Sequence, residues 1–321
     1  MPSSSAENYF SCSCSKNQFS AEISASYVRE ALEAGDFAAA AVLCPRSSWP
    51  YLLAQLAQRA LMMELNLPLK PGLVCPDSNG AHRDMDYALM QKGIAAIRPF
   101  FAPMAMANST EMLRQLGMEA EKAMLAATGG VNTHRGAIFC LGLALNAWMQ
   151  GAHNEELMQN RLAETAQSIF RIQLNDSNLA TTPVALCGAR QIAASGYRIL
   201  FEDWLPFLRK GERASSPIQL QKLLLRIMST LDDTCVVKRA GAERAQQVKK
   251  EAEEILRFAQ NDKEGSQNDK TNPCHPEEAK PTKDLFAEAL KELCDRYAAE
   301  GISPGGAADM LALTIFIDSI I

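Results

Sequence analysis

Four short stretches of this chain gather the residue types that acid–base, metal and phosphate chemistry use. In the first, Lys70 lies in the turn Pro68–Val74, and His82, Asp84 and Asp86 follow within a few residues. Proline and glycine stiffen such a loop ahead of a helix. Two close carboxylates repel unless a cation or a proton lies between them. Asp84 and Asp86 are therefore candidates for Mg2+ ligands or a general base. A helix starting near His82 would put His82 and Asp86 on one face. The plainer alternative is a first helical turn, where the helix dipole favours aspartate anyway.

The second stretch runs from Gly129 to Gly136 and holds Gly130, Asn132, Thr133, His134 and Arg135. A glycine-rich loop feeding a helix exposes backbone N–H groups, and with Arg135 beside it this is a ready anion site. It lacks the Gly-Lys-Ser/Thr ending of a Walker loop. An ordinary interhelical turn would not explain four such polar residues in a row. In the third stretch, Asp232 and Asp233 close an amphipathic helix bearing Leu220, Leu223, Leu224 and Ile227, with Lys238 and Arg239 just beyond. Carboxylates at a helix C-terminus meet its negative pole, so this placement asks for a cation; a solvated helix end with Lys238 or Arg239 as counter-ion is the alternative. The fourth stretch, Ser303 to Asp309, opens the last apolar helix, with Ser303 as N-cap and Pro304 at the first helical position. Gly305 and Gly306 then sit in the first turn, where each costs up to ~1 kcal/mol relative to alanine in a helix interior. Close approach of a ligand or another backbone is a reason to keep them; tight helix packing is the alternative.

The elements that position these stretches are helical. Apolar residues recur at helical spacing over 21–43, 48–65, 84–106, 109–127, 136–149, 155–172, 186–200, 218–231, 242–258, 284–299 and 306–320, and no alternating strand pattern stands out. The expected fold is all-α, a single multi-helix globular domain of ten or more helices spanning residues 21–321. Residues 1–20 read as a disordered tail. Residues 260–283 read as a disordered insertion, almost without apolar residues and repeating Gln-Asn-Asp-Lys at Gln260–Lys263 and Gln267–Lys270. The insertion resembles a translated bacterial repeat element, and it removes His275 from consideration as a catalytic group.

The chain has 321 residues, 47% hydrophobic and 21% charged, enough to bury a sizeable core. Its net charge of −5 and the lack of a basic tract argue against a nucleic-acid partner. No apolar run reaches the ~18–20 residues that span a bilayer, and the Ser- and Cys-rich start does not resemble a signal peptide. Nine scattered cysteines suit a reducing cytoplasm better than a disulfide framework. Cys12 and Cys14 read as incidental thiols.

The four stretches, in this order, resemble the triphosphoribosyl-dephospho-coenzyme A synthase family. The matching pieces are KPGLV with GAHRDMD, GGVNTHRGAIFCLGLAL, DDT with Lys238-Arg239, and SPGGAADMLALTIF. The similarity runs from about residue 50 to the C-terminus, apart from the insertion. Asp84-Met85-Asp86 and the double glycine before Val131 look closest to the branch that serves malonate decarboxylase, the other branch serving citrate lyase. The resemblance implies a transferase that joins the triphosphoribosyl group of ATP to the 2′-hydroxyl of 3′-dephospho-CoA and releases adenine. The product would pass to a holo-acyl-carrier-protein transferase as a prosthetic-group precursor. It further implies Mg2+ with the ATP. Lys70, Arg135 and Arg239 would then meet phosphate, and Asp84, Asp86, Asp232 and Asp233 would serve as metal ligands. His82, Asp84, Asp86, His134 and Asp233 would carry the proton and charge chemistry. Gly130, Asn132, Thr133, Ser303, Gly305, Gly306 and Asp309 would line the nucleotide.

Several positions depart from the family pattern: Cys235 for Asn, Ala240 for Gly, Ile192 for Glu, Arg198 for Pro, and Asn178-Leu179 for His-Gly. A glycine at 240 would permit a positive φ that alanine resists. These departures motivate an alternative, a degenerate paralogue that binds nucleotide or the carrier-protein assembly without turnover. A histidine–aspartate phosphohydrolase is a third reading, but it needs an adjacent His-Asp pair and more histidines than the four present.

Overall fold

The computed structural model describes residues 18–176, 189–210, 216–268 and 282–321. Among them there is no strand, only an isolated bridge between Cys75 and Ser78. The expected all-α single domain is what the chain forms. The helices are α1 (Gln18–Ala34), α2 (Phe37–Val42), α3 (Trp49–Asn66), α4 (Tyr87–Ala105), α5 (Thr110–Ala127), α6 (Arg135–Met149) and α7 (Glu155–Asp176). They continue as α8 (Ala189–Ala194), α9 (Leu205–Arg209), α10 (Pro217–Thr230), α11 (Thr234–Asn268), α12 (Thr282–Glu300) and α13 (Gly305–Ile320).

Local chemistry sets several of the boundaries. Asp86, Ser109 and Ser216 each accept a hydrogen bond from the backbone N–H three residues on, at 2.7, 3.1 and 3.2 Å, and so start α4, α5 and α10. Two helices are apolar on every side. In α6 the stretch from Cys140 to Trp148 is buried, and in α13 so is that from Met310 to Ile317. Such helices belong at the centre of a fold. α6 and α13 pack on each other, with α3 against both, α4 against α6 and α10 against α13.

The structure corrects several expected boundaries. The expected helix over 21–43 divides at Gly35–Asp36, where Gly35 takes φ 82° and Asp36 caps α2 by accepting from Ala39 N–H at 2.9 Å. The expected helix over 186–200 ends at Ala194; beyond a turn at Gly196–Tyr197, a π-helical turn at Leu200–Trp204 leads into α9. α11 begins eight residues early and bends at Gly241, which has φ 86° and ψ 167°. It also continues through residues 260–268, the first part of the expected insertion. The rest of the insertion, at 269–281, lies outside the described residues, as do 1–17 of the expected tail and positions 178 and 179.

Candidate active site

Three helix N-termini meet at the centre of the site, and two aspartates join them. Asp233 precedes α11. Its Oδ1 accepts from Cys235 N–H at 2.8 Å, and its Oδ2 accepts from Ala307 N–H at 2.9 Å in the first turn of α13. This reverses the sequence expectation that Asp233 faces a negative helix pole. α10 has already ended at Thr230, so Asp233 faces the positive ends of two other helices. Burial raises its pKa, and these backbone N–H groups pull it back down. Gly306 packs against the same carboxylate, where a side chain would meet its three atoms at 3.0 Å.

Asp309, one turn into α13, accepts from Ala137 N–H at the start of α6. Its pKa stands well above the usual carboxylate range, through desolvation first and then the negative charges of Glu64 and Asp233. A Cβ at position 136 would overlap Asp309 Oδ2, so only glycine lets the two central helices approach this closely.

Beneath the junction lies a buried ion pair. Glu64, near the end of α3, and Lys70, in the Pro68–Val74 turn, are 4% and 2% exposed and bond directly to each other. The expectation that Lys70 presents its ammonium to phosphate is therefore not how it stands: the ammonium faces inward, onto Glu64. Sequence reading missed Glu64. Its signal was its position in register with Leu53, Ala57, Ala60 and Leu61, the buried stripe of α3. His134 caps this region and is 4% exposed. Its Nδ1 lies 2.8 Å from Thr133 Oγ1, while its Nε2 is buried without a hydrogen-bond partner. Desolvation, helped by the charge of Lys70, pushes its pKa down to about 3. As an expected proton carrier His134 is thus confined to its neutral form, because the protein around it cannot solvate a cation.

A second cluster closes the outer side. His82 Nε2 lies 2.8 Å from Ser303 Oγ, and Arg239 Nη2 lies 3.3 Å from His82 Nδ1. A guanidinium can only donate, so Nδ1 is the acceptor and Nε2–H donates to the Ser303 hydroxyl. Burial, then Arg239, lower the His82 pKa, while Asp84 at 3.9 Å raises it. Ser303 is not the N-cap expected of it. Its hydroxyl is engaged by His82, Pro304 holds the cap position without a side-chain bond, and Asp233 satisfies the helix instead.

The remaining expected site residues lie at the rim or in supporting roles. α4 starts at Tyr87, later than expected, so His82 and Asp86 do not share a helix face; Asp86 is its cap. Asp84 is exposed, and Asp232 pairs with Lys249 at 2.8 Å. Arg135 pairs with Glu121 across α5 and α6. Asn132 accepts from Arg135 N–H at 3.0 Å and so begins α6, and Gly130 N–H donates to Leu125 O at 2.8 Å. Gly305 lies against Cys235. Among the described residues, no three His, Cys, Asp or Glu side chains are placed to hold one metal ion together.

Two of the departures from the family pattern are absorbed locally. At 235 the backbone N–H donates to Asp233, a contact that does not depend on the side chain, and the Cys235 thiol adds to it. At 240–241 the left-handed turn falls on Gly241, so Ala240 needs no positive φ.

The family model described as ATP:dephospho-CoA triphosphoribosyl transferase matches residues 50–321. A protein of Pseudomonas savastanoi pv. phaseolicola, named probable 2-(5''-triphosphoribosyl)-3'-dephosphocoenzyme-A synthase, is 36% identical over 284 residues, covering 84% of this chain and 91% of that one. A protein of the same name from Salmonella gallinarum is 35% identical over 287 residues, covering 82% and 88%. A solved chain from Archaeoglobus fulgidus is 19% identical with a TM-score of 0.46, covering 72% of this chain and 98% of its own, a likeness too slight to add to the argument.

Proposed function

The chain belongs to the ATP:dephospho-CoA triphosphoribosyl transferase family, and on that premise we propose that the transfer takes place at the junction of α6, α11 and α13. In the reaction the adenosine 2′-hydroxyl of 3′-dephospho-CoA forms a bond to the ribose C1′ of ATP. The bond from C1′ to adenine breaks, the hydroxyl proton passes to a base, and adenine leaves with a proton. Charge develops on the ribose ring as an oxocarbenium-like centre, which a fixed carboxylate stabilises.

One observation carries this placement: four segments far apart in the chain touch one another. His82 reaches Ser303 and Arg239, Asp233 reaches Ala307, and Asp309 reaches the start of α6. Asp233, held between two helix ends, suits the stabilising carboxylate. Asp309, whose surroundings push its carboxyl towards the protonated form, suits the acid that delivers a proton to adenine. Glu64 and Lys70 fix the floor. Arg239, exposed beside His82, suits a phosphate contact, and its departure towards phosphate would free His82 Nδ1 to accept the hydroxyl proton. Arg135 suits a second phosphate contact at the Gly130–Thr133 loop.

Mg2+ fits this arrangement as an ion carried by the triphosphate, since such ions keep water and phosphate ligands and take only one or two protein carboxylates. Asp84 and Asp86, both exposed, would supply them, and the ion would neutralise triphosphate charge. The cysteines that the structure describes are unpaired, which suits a reducing, cytoplasmic compartment; among the described residues no helix is long and apolar enough to cross a membrane. Its product suits a holo-acyl-carrier-protein transferase.

The test is to incubate the protein with ATP, Mg2+ and either 3′-dephospho-CoA or CoA. Adenine should appear in step with loss of dephospho-CoA. Equal turnover with CoA, or no adenine with either acceptor, would overturn the reading.

A further inference from the structure

A cavity of about 480 Å³ opens on the far side of α6 from Asp309, between α5, α6 and α7. This is the size range of pockets for drug-sized ligands, roughly 300–1,000 Å³. Its walls are apolar, with Leu113, Met118, Ile138, Phe139 and Phe170. Three arginines, Arg114, Arg135 and Arg190, and one carboxylate, Glu121, line it; Arg114 is held at 3.2 Å by Glu111. Arg135 and Glu121 pair with each other, and the Arg190 guanidinium lies 5.9 Å from the centre of the Phe170 ring. In the chain Arg135 stands between His134 and Gly136, and Gly136 lies against Asp309.

We propose that this cavity holds the pantetheine arm of the acceptor, with Arg190 meeting its diphosphate. The inference rests on the transfer reading for the identity of the acceptor. Dephospho-CoA has three parts in series: an adenosine whose 2′-hydroxyl reacts, a diphosphate of charge −2, and a long uncharged arm. The protein offers a matching series: the Asp309 junction, the Arg190 guanidinium on the chamber wall, and an apolar chamber. ATP has no counterpart to the arm, so the chamber separates acceptor from donor.

Gly117, on the cavity-facing side of α5, gives a clean probe. A Cβ there would meet nothing within 4 Å, and replacing a helical glycine raises helix propensity. Gly117→Phe should therefore fill the chamber without unfolding the protein. Calorimetric titration with 4′-phosphopantetheine and with pantetheine is the experiment. The parent should bind both. Gly117→Phe should weaken both at least tenfold at an unchanged melting temperature, and leave ATP affinity as it was. Arg190→Gln should weaken 4′-phosphopantetheine about tenfold, the worth of one charge-assisted hydrogen bond, and spare pantetheine. Absence of binding to the parent, indifference to Gly117→Phe, or a loss of ATP affinity in its place would overturn the proposal. Adenine release by the parent protein tests the transfer reading separately.

Discussion

Asp232 and Asp233 are neighbours in the chain and live in opposite surroundings. Asp232 has a side chain 75% exposed and pairs with the half-buried Lys249. Asp233 is buried, with both oxygens held by helix N-termini. The same contrast divides the whole site. An inner group of Glu64, Lys70, His134, Asp233 and Asp309 is shielded from water, and all but His134 Nε2 are tightly partnered, while an outer group of Asp84, Asp86, Asp232, Arg135 and Arg239 meets water. Desolvation strengthens every charge interaction and makes each broken partnership expensive. Exposed pairs are worth little and can rearrange freely. The inner group is thus suited to charge that must already be in place when a bond breaks, and the outer group to capturing a mobile triphosphate.

This division makes unequal predictions. The largest effect belongs to Lys70→Met, which leaves the buried Glu64 carboxylate without its cation. Stability in urea should fall by about 3–5 kcal/mol, and the double change Lys70→Met with Glu64→Gln should recover most of it, since replacing both partners removes the stranded charge. A single variant as stable as the parent would mean that the pair is not desolvated in solution.

An intermediate effect is expected at Asp309. Because its folded pKa is raised, the stability it contributes is complete below the unfolded carboxylate value of about 3.9 and is lost as pH rises towards the folded value. Asn has no such titration and can still accept from Ala137 N–H. The melting temperature of Asp309→Asn should match the parent near pH 4 and exceed it increasingly towards pH 8. A variant less stable at pH 8 than at pH 4, relative to the parent, would contradict the assigned direction.

The smallest effect belongs to Asp232→Asn. It breaks only the exposed contact to Lys249, and should change stability by no more than about 1 kcal/mol. A larger loss would erase the distinction between the two regions.

The sequence made the four stretches legible because each packs unusual residue types into a few positions, and the all-α architecture legible because apolar spacing persists over long segments. It did not disclose which way the side chains point. Lys70 follows a proline and looks like a surface cation, yet the turn carries it inward to Glu64. Glu64 itself is a lone carboxylate in a helix, unremarkable until its register with the buried stripe is counted. Asp233 was misread because helix periodicity shows where α10 ends but not that two other helices begin against it. Ser303 was misread for the same reason: its cap role was taken by a residue some seventy positions away, and its hydroxyl by His82 from the first stretch.

The central claim is that adenine leaves at the inner group. Its most direct test is the rate of adenine release at saturating ATP, Mg2+ and 3′-dephospho-CoA in Asp309→Asn beside Asp232→Asn. Loss of a general acid typically costs a factor of about 10²–10⁴, so kcat of Asp309→Asn should fall by that much with a folded protein and little change in the KM for ATP. Asp232→Asn should stay within a few-fold of the parent. An Asp309→Asn protein that releases adenine at the parental rate would place the chemistry elsewhere.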